Sequence, residues 1–126
     1  MSEQIAKFRF KGYKIIESYI KINQEEISQN LNVEFERTIG VNEEGHDMRL
    51  EMEAKINDNN NSLIINVKAY GYFEFDTDLK SAEKDIFFNT SAPAILFPYV
   101  RAYITTLSSL SGVTPVILPT LNMSQR

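Results

Sequence analysis

The 126-residue sequence contains no cysteine. This excludes a disulfide framework, a thiolate nucleophile and any zinc site built on cysteine, and it suits a reducing cytosol. Histidine occurs once, at His46, in a polar run beside Glu43, Glu44 and Asp47. That run reads as a solvated turn, because a metal site there would need ligands from elsewhere and none is visible. No run of lysine and arginine occurs, and the formal net charge is −4. Nucleic-acid binders carry a basic face, so a phosphate-backbone partner is not expected. Residues 1–9 lack the apolar core of a signal peptide. The most apolar stretch, in the last third, is broken by Pro93, Pro98, Arg101 and a Ser/Thr cluster, which argues against a membrane span. What remains is a cytoplasmic protein of one domain, covering residues 1–126 and long enough for a core of its own.

The first part of the chain, about residues 6–76, reads as strands. Residues 6–22 are rich in aromatic and β-branched side chains, but their phase is imperfect. Phe8, Phe10, Ile16, Ile20 and Ile22 fall on one face and Tyr13, Ile15 and Tyr19 on the other, so a bulge near Gly12 or a strand covered on both faces is expected. Leu31, Val33, Phe35 and Ile39 alternate with polar residues, with Arg37 the exception on the apolar face. Met48, Leu50, Met52, Ala54 and Ile56 do the same. Such alternation means one packed and one wet face. The turn at 42–45 makes these two runs an antiparallel hairpin. The Asn/Asp/Ser cluster at 57–62 is the strongest turn signal, and Leu63, Ile65, Val67, Ala69, Phe73 and Phe75 mark a fourth strand after it.

Residues 76–89 begin polar, with a short helical turn at 81–87. Pro93 then stands where a first helical position would be, with Ser91 as its cap, and a helix over about 93–111 ends at Gly112. An extended tail, 113–126, carries Pro115 and Pro119. Between Ile86 and Gln125 the only charged side chain is Arg101. Leu96, Val100, Tyr103, Leu107 and Leu110 form a stripe that Ile95, Phe97, Tyr99 and Ile104 widen. A helix apolar over most of its circumference is buried on more than one side. One sheet covers only one side, so an oligomer or a ligand must cover the other. The fold class is therefore α+β, in two layers, with a four-stranded antiparallel sheet followed by one long helix.

The run Ala92-Pro93-Ala94-Ile95-Leu96-Phe97-Pro98-Tyr99-Val100-Arg101 resembles the signature of the SecB family of export chaperones. The likeness continues through Ile104-Thr105 and through Leu118-Pro119-Thr120-Leu121-Asn122. It implies a dimer of dimers, with the long helices between sheets, that holds unfolded or precursor polypeptides in apolar grooves. It implies no cofactor and no catalysis. Apolar burial is non-directional, so one such surface accepts many sequences. The connection at 23–30 is shorter than the family's crossover loop, and the second helix of proteobacterial members is not expected after Arg126. Those members dock the motor SecA through acidic residues on the open sheet face. Here Glu17 falls at one such position and Asn66 at another, so only part of that patch is carried over.

The candidate client contacts are Ile27, Leu31, Val33, Phe35, Phe87, Phe88, Val116, Ile117, Leu118 and Leu121. Tyr99, Arg101, Tyr103 and Leu107 are candidates for an interface between copies, with Arg101 holding a carboxylate or carbonyls of a neighbouring strand or subunit, since a buried charge requires a partner. Glu17, Glu51 and Glu53 are candidates for docking a partner on the sheet face. Glu34, Glu36, Glu51 and Glu53 could pair across the hairpin as acid and base, but alternation puts them on the solvated face. Alternative readings are a dedicated chaperone of one client, such as an antitoxin, and a small-molecule binding module.

Overall fold

The computed structural model describes residues 7–23, 27 and 30–120. Strands β1 (Phe8–Ile22), β2 (Leu31–Asn42), β3 (Asp47–Asp58) and β4 (Leu63–Phe75) precede helix α1 (Ser81–Ile86), a π-helical turn (Phe87–Ser91) and helix α2 (Ala92–Leu110). The strands form one antiparallel sheet in the order β1-β4-β3-β2. The two central strands alternate without fault. Met48, Leu50, Met52, Ala54 and Ile56 of β3 are buried, as are Leu63, Ile65, Val67, Ala69, Phe73 and Phe75 of β4. β2 pairs with β3 as the expected hairpin, from Leu31 opposite Asp58 to Asn42 opposite Asp47.

β1 departs from simple alternation twice. Its register against β4 shifts between Phe10 and Gly12 and again between Ile15 and Glu17. The first bulge is the one expected at Gly12, whose φ of 134° favours glycine. The second is new. Together they put Phe8, Phe10, Tyr13, Ile15, Ser18, Ile20 and Ile22 opposite the inward residues of β4. The sequence grouping is thus corrected: Ile16 is exposed on the outer side, and Tyr13 and Ile15 join the helix side.

The β3–β4 turn is closed by its own polar groups. Asp58, fully buried at the end of β3, accepts hydrogen bonds at Oδ1 from the backbone amides of Ser62 (2.6 Å) and Leu63 (3.1 Å). Asn61 sits at φ 54°, and its side-chain oxygen accepts from Asn57 Nδ2 at 2.6 Å.

The helical run begins about a turn after β4 rather than at Pro93. It is unbroken from Ser81, and Ser91 is itself helical with no side-chain cap bond. Pro93 cannot donate to the preceding turn and its ring crowds the carbonyl four residues back. The chain accommodates it with a π turn, in which the Ala92 amide reaches Phe87 O instead of stopping the helix. Pro98, now interior, lies on the exposed side of α2, where the carbonyl it leaves unpaired faces water. The far end stops as expected. Gly112 takes φ 94°, and the amides of Gly112 and Val113 bond Ser109 O and Ser108 O, both at 3.3 Å.

α2 buries Ala92, Pro93, Leu96, Phe97, Val100, Ile104 and Ser108 against the sheet. Gly71 lets it come close, because a Cβ there would stand 3.1 Å from the Phe73 ring and 3.3 Å from Leu96. Beyond Gly112 the tail turns back along the helix. Val116 O accepts from Thr105 Oγ1 at 2.7 Å, and the Val116 amide donates to Ser108 Oγ at 2.8 Å.

Candidate functional site

α2 packs over β1, β3 and β4, and the edge strand β2 lies beyond it. The inner face of β2 carries Leu31, Val33, Phe35, Arg37, Ile39 and Val41, with Val33 and Val41 exposed and the others partly buried. One ring contact links this face to the helix, Phe35 edge-on to Phe97 at 5.5 Å. Phe97, Arg101, Thr105 and Ser108 follow at four- and three-residue spacing and so share one flank of α2. Since Thr105 and Ser108 hold Val116, the tail runs back on this same flank. Among the described residues the result is a largely apolar trough between β2 and the helix-and-tail layer, with Arg37 on one side and Arg101 on the other.

The predicted client contacts divide accordingly. Leu31, Val33 and Phe35 lie in the trough, and Ile117 is 68% exposed on the tail beside it. Val116 and Leu118 are core residues, only 4% and 1% exposed. An extended tail alternates, so the hydrogen bonds that pin Val116 inward turn Leu118 inward and Ile117 outward. Phe88 is buried edge-on to Phe75 at 5.3 Å, and Phe87 stacks on Phe8 at 5.0 Å, which puts both in the core layer under the π turn. Ile27 is partly buried against the core. Leu121 lies outside the described residues. Ile39, Val41 and Phe97 were not singled out, although Ile39 and Val41 continue the alternation of Leu31, Val33 and Phe35.

A second surface lies along the seam between α2 and β1. The Tyr99 ring stacks on Tyr13 at 4.4 Å and faces Phe10 at 5.6 Å, and the Tyr103 hydroxyl donates to Ser18 Oγ at 2.8 Å. Leu107 is partly buried against the core. Arg101, grouped with these residues on sequence, stands two positions from Tyr99 and from Tyr103. It therefore points to the opposite flank, since residues two apart on a helix do not face each other. The solvent side of α2, with Ala94, Pro98, Ala102, Thr106, Ser109 and Leu110, carries no charge, and Leu110 is 84% exposed.

The outer face of the sheet is polar. Lys68 of β4 stands 3.7 Å from Glu17 of β1 and 3.9 Å from Glu51 of β3. Glu17 foremost, then Glu51 and Glu53, hold the Lys68 ammonium above its ordinary pKa, against the opposing pull of partial desolvation. The carboxylates expected to dock a partner thus surround a cation. Asn66 is partly buried on the same face, opposite Tyr19 and Lys55. Arg49 lies over the Tyr70 ring at 4.2 Å. Among the described residues no group of carboxylates and histidine is placed to hold a metal ion, and no helix is long and apolar enough to cross a membrane.

A four-stranded antiparallel sheet backed by one long helix whose only charge is Arg101 defines a two-layer α+β protein. The chain belongs to the SecB family, described as preprotein translocase subunit SecB, whose pattern matches residues 10–125. It is 26% identical over 124 residues to the uncharacterized protein MJ0357 of Methanocaldococcus jannaschii, covering 96% of this chain and 79% of that one. It is 27% identical over 99 residues to the protein-export protein SecB of Saccharophagus degradans, covering 79% of this chain and 58% of that one. Among solved structures, the fold is similar to the Mycobacterium tuberculosis Rv1957 SecB-like chaperone, determined in complex with a ChAD peptide from the Rv1956 HigA1 antitoxin. That likeness has a TM-score of 0.77 at 13% identity, over 91% of this chain and 88% of that one.

Proposed function

We propose that the chain is an ATP-independent holdase that keeps client polypeptides unfolded by burying their apolar segments in the trough beside β2. The observation that carries this reading is the exposure of Val33 and Val41 on the inner face of β2, the strand whose Phe35 meets Phe97, together with that of Ile117 on the tail, where Arg101 is the only charge between Ile86 and Gln125. Apolar side chains exposed along one strand face offer a binding surface, and burial on it is sequence-tolerant. Membership of the family supports the same chemistry. The chain then works in the cytoplasm as a dimer of dimers. Copies meet along the seam of Tyr13, Tyr99 and Tyr103, with Leu107 beside it, and across the uncharged outer side of α2.

Dilution of a chemically denatured client with and without the protein tests this. Light scattering should show suppressed aggregation near one tetramer per client. Unchanged aggregation beside a well-folded oligomer would sink the general holdase.

A second reading is a chaperone dedicated to one client, such as an antitoxin. Lys68, set among Glu17, Glu51 and Glu53, favours it over general export, because it offsets the negative charge that docking of SecA would use. The fold likeness to Rv1957, whose complex holds an antitoxin peptide, supports it too. Co-purification of one antitoxin rather than many exported precursors separates the two readings.

A further inference from the structure

We propose that an apolar client segment adds to the sheet as a further antiparallel strand along the edge of β2, held by its main chain as well as its side chains. This rests on the client-binding reading of the trough and names the conformation and residue pattern that the trough takes.

The phase of the sheet hydrogen bonds fixes which groups of β2 face the edge. The Phe75 amide of β4 donates to His46 O, just before β3, at 2.9 Å. Opposite residues of an antiparallel ladder are alternately bonded and non-bonded pairs. Counted from His46, the even-numbered residues of β3 thus turn their amides and carbonyls to β4, and the odd-numbered ones turn theirs to β2. Those odd residues stand opposite the even residues of β2, as Glu51 does to Thr38 and Glu53 to Glu36. The amides and carbonyls of Val33, Phe35, Ile39 and Val41 are therefore aimed away from β3. These are also residues whose side chains line the trough. A strand added here bonds their main chain and lays its own inward side chains beside theirs, because directly opposite residues share a face.

β2 is regular enough to accept such a strand, and β1 is not. The register of β2 against β3 runs from Leu31 to Asn42 without a shift, and no proline interrupts it. β1 carries two bulges, which break the ladder and twist an edge away. Charge selects what is added. On the outer face Glu36 stands directly across from Glu53, an unfavourable like-charge pair, with Lys55 3.5 Å from Glu36. The outward residues of an added strand lie beside Glu34 and Glu36, so lysine or arginine fits there. A second copy does not. Antiparallel pairing of β2 with itself puts Glu36 opposite Glu36, or Arg37 opposite Arg37, in the two registers of longest overlap. The occupant is a client segment in which apolar residues alternate with basic ones.

The test uses the full-length protein and a fluorescent peptide of about twelve residues, the length of β2, in which Leu and Phe alternate with Lys. Two further peptides carry N-methyl groups, one on two central apolar residues and the other on two central lysines. In the antiparallel pairing the apolar residues supply the amides that bond β2. Anisotropy should therefore show the first binding at least about tenfold more weakly and the second little changed. Equal loss in both, or loss in neither, would overturn strand addition and leave the trough standing. No binding of the unmodified peptide would overturn both. Glutamates in place of the lysines should weaken binding about fivefold at low salt, and Glu34→Gln with Glu36→Gln should remove that difference. A Glu peptide bound as tightly as the Lys peptide would overturn the charge selection. Amide exchange read by NMR completes the test. Without peptide, the amides of Val33, Phe35, Ile39 and Val41 should exchange fast and those of Glu34, Glu36 and Thr38 slowly, and bound peptide should slow the first set. A first set already slow without peptide means that another part of the chain, or a second copy, holds the edge, and the proposal fails.

Discussion

Asp58 shows how much one side chain can decide. Its position in the Asn/Asp/Ser cluster marks it as a turn residue, and the turn forms as read. Yet only the structure shows that its carboxylate is buried and satisfies two backbone amides at the start of β4. Removing an acceptor that serves buried donors costs their full desolvation. Asp58→Ala should therefore destabilise the fold by about 1–3 kcal/mol, measured by urea unfolding, and Asp58→Asn by less because an oxygen remains. An Asp58→Ala protein as stable as the parent would mean that water takes over both amides. Arg101 is the opposite case at this scale. Its isolation was plain in the sequence, but the flank it occupies was not, because the face that a helical residue presents depends on where the sheet lies.

At the scale of elements, β2, β3 and β4 were legible because one face of each is wet, which leaves a period of two in the sequence. β1 was half legible. Gly12 announces the first bulge by its tolerance of positive φ, whereas Ile16, apolar and β-branched, conceals the second. The long helix starts within a residue of its expected place, but the π turn that joins it to α1 was not legible. Ser91 and Pro93 imitate a capped N-terminus, and a π turn has no sequence mark to warn otherwise. The tail's inward residues were grouped with Ile117 as client contacts because nothing in Val116-Ile117-Leu118 says which of an alternating set meets the core. The contact between α2 and β4 at Gly71 gives a prediction at this level. Gly71→Val should lower stability by roughly 1–3 kcal/mol through crowding of Phe73 and Leu96, seen as a reduced melting temperature. No change would show that the helix rides freely over the sheet.

At the scale of the whole molecule, β1 and β2 are the edge strands, and among the described residues no further strand pairs with either. Long unpaired edges invite association unless something covers them. β1 is the longer edge strand, and Tyr13, Ile16, Tyr19 and Ile22 stay exposed along it, next to the exposed Tyr99 ring. On the proposed reading, copies pack on this side and clients bind on the β2 side. Tyr13→Glu combined with Tyr99→Glu should place charges in that contact and reduce the mass found by light scattering to that of a smaller assembly, while the secondary structure persists. An unchanged mass would move the subunit contact elsewhere.

The two bulges bear on how this protein should be compared with its kin. β1 has 15 residues and its partner β4 has 13, the difference being the two that stand out of register, Lys11 and Ile16. With those two struck out, β1 spells an unbroken inward–outward rhythm from Phe8 to Ile22. They act like silent letters, changing the twist and bend of the strand without changing which side chains meet the helix. A one-residue gap at either place in a relative would preserve every inward partner. A gap anywhere else in β1 would turn the remainder of the strand inside out.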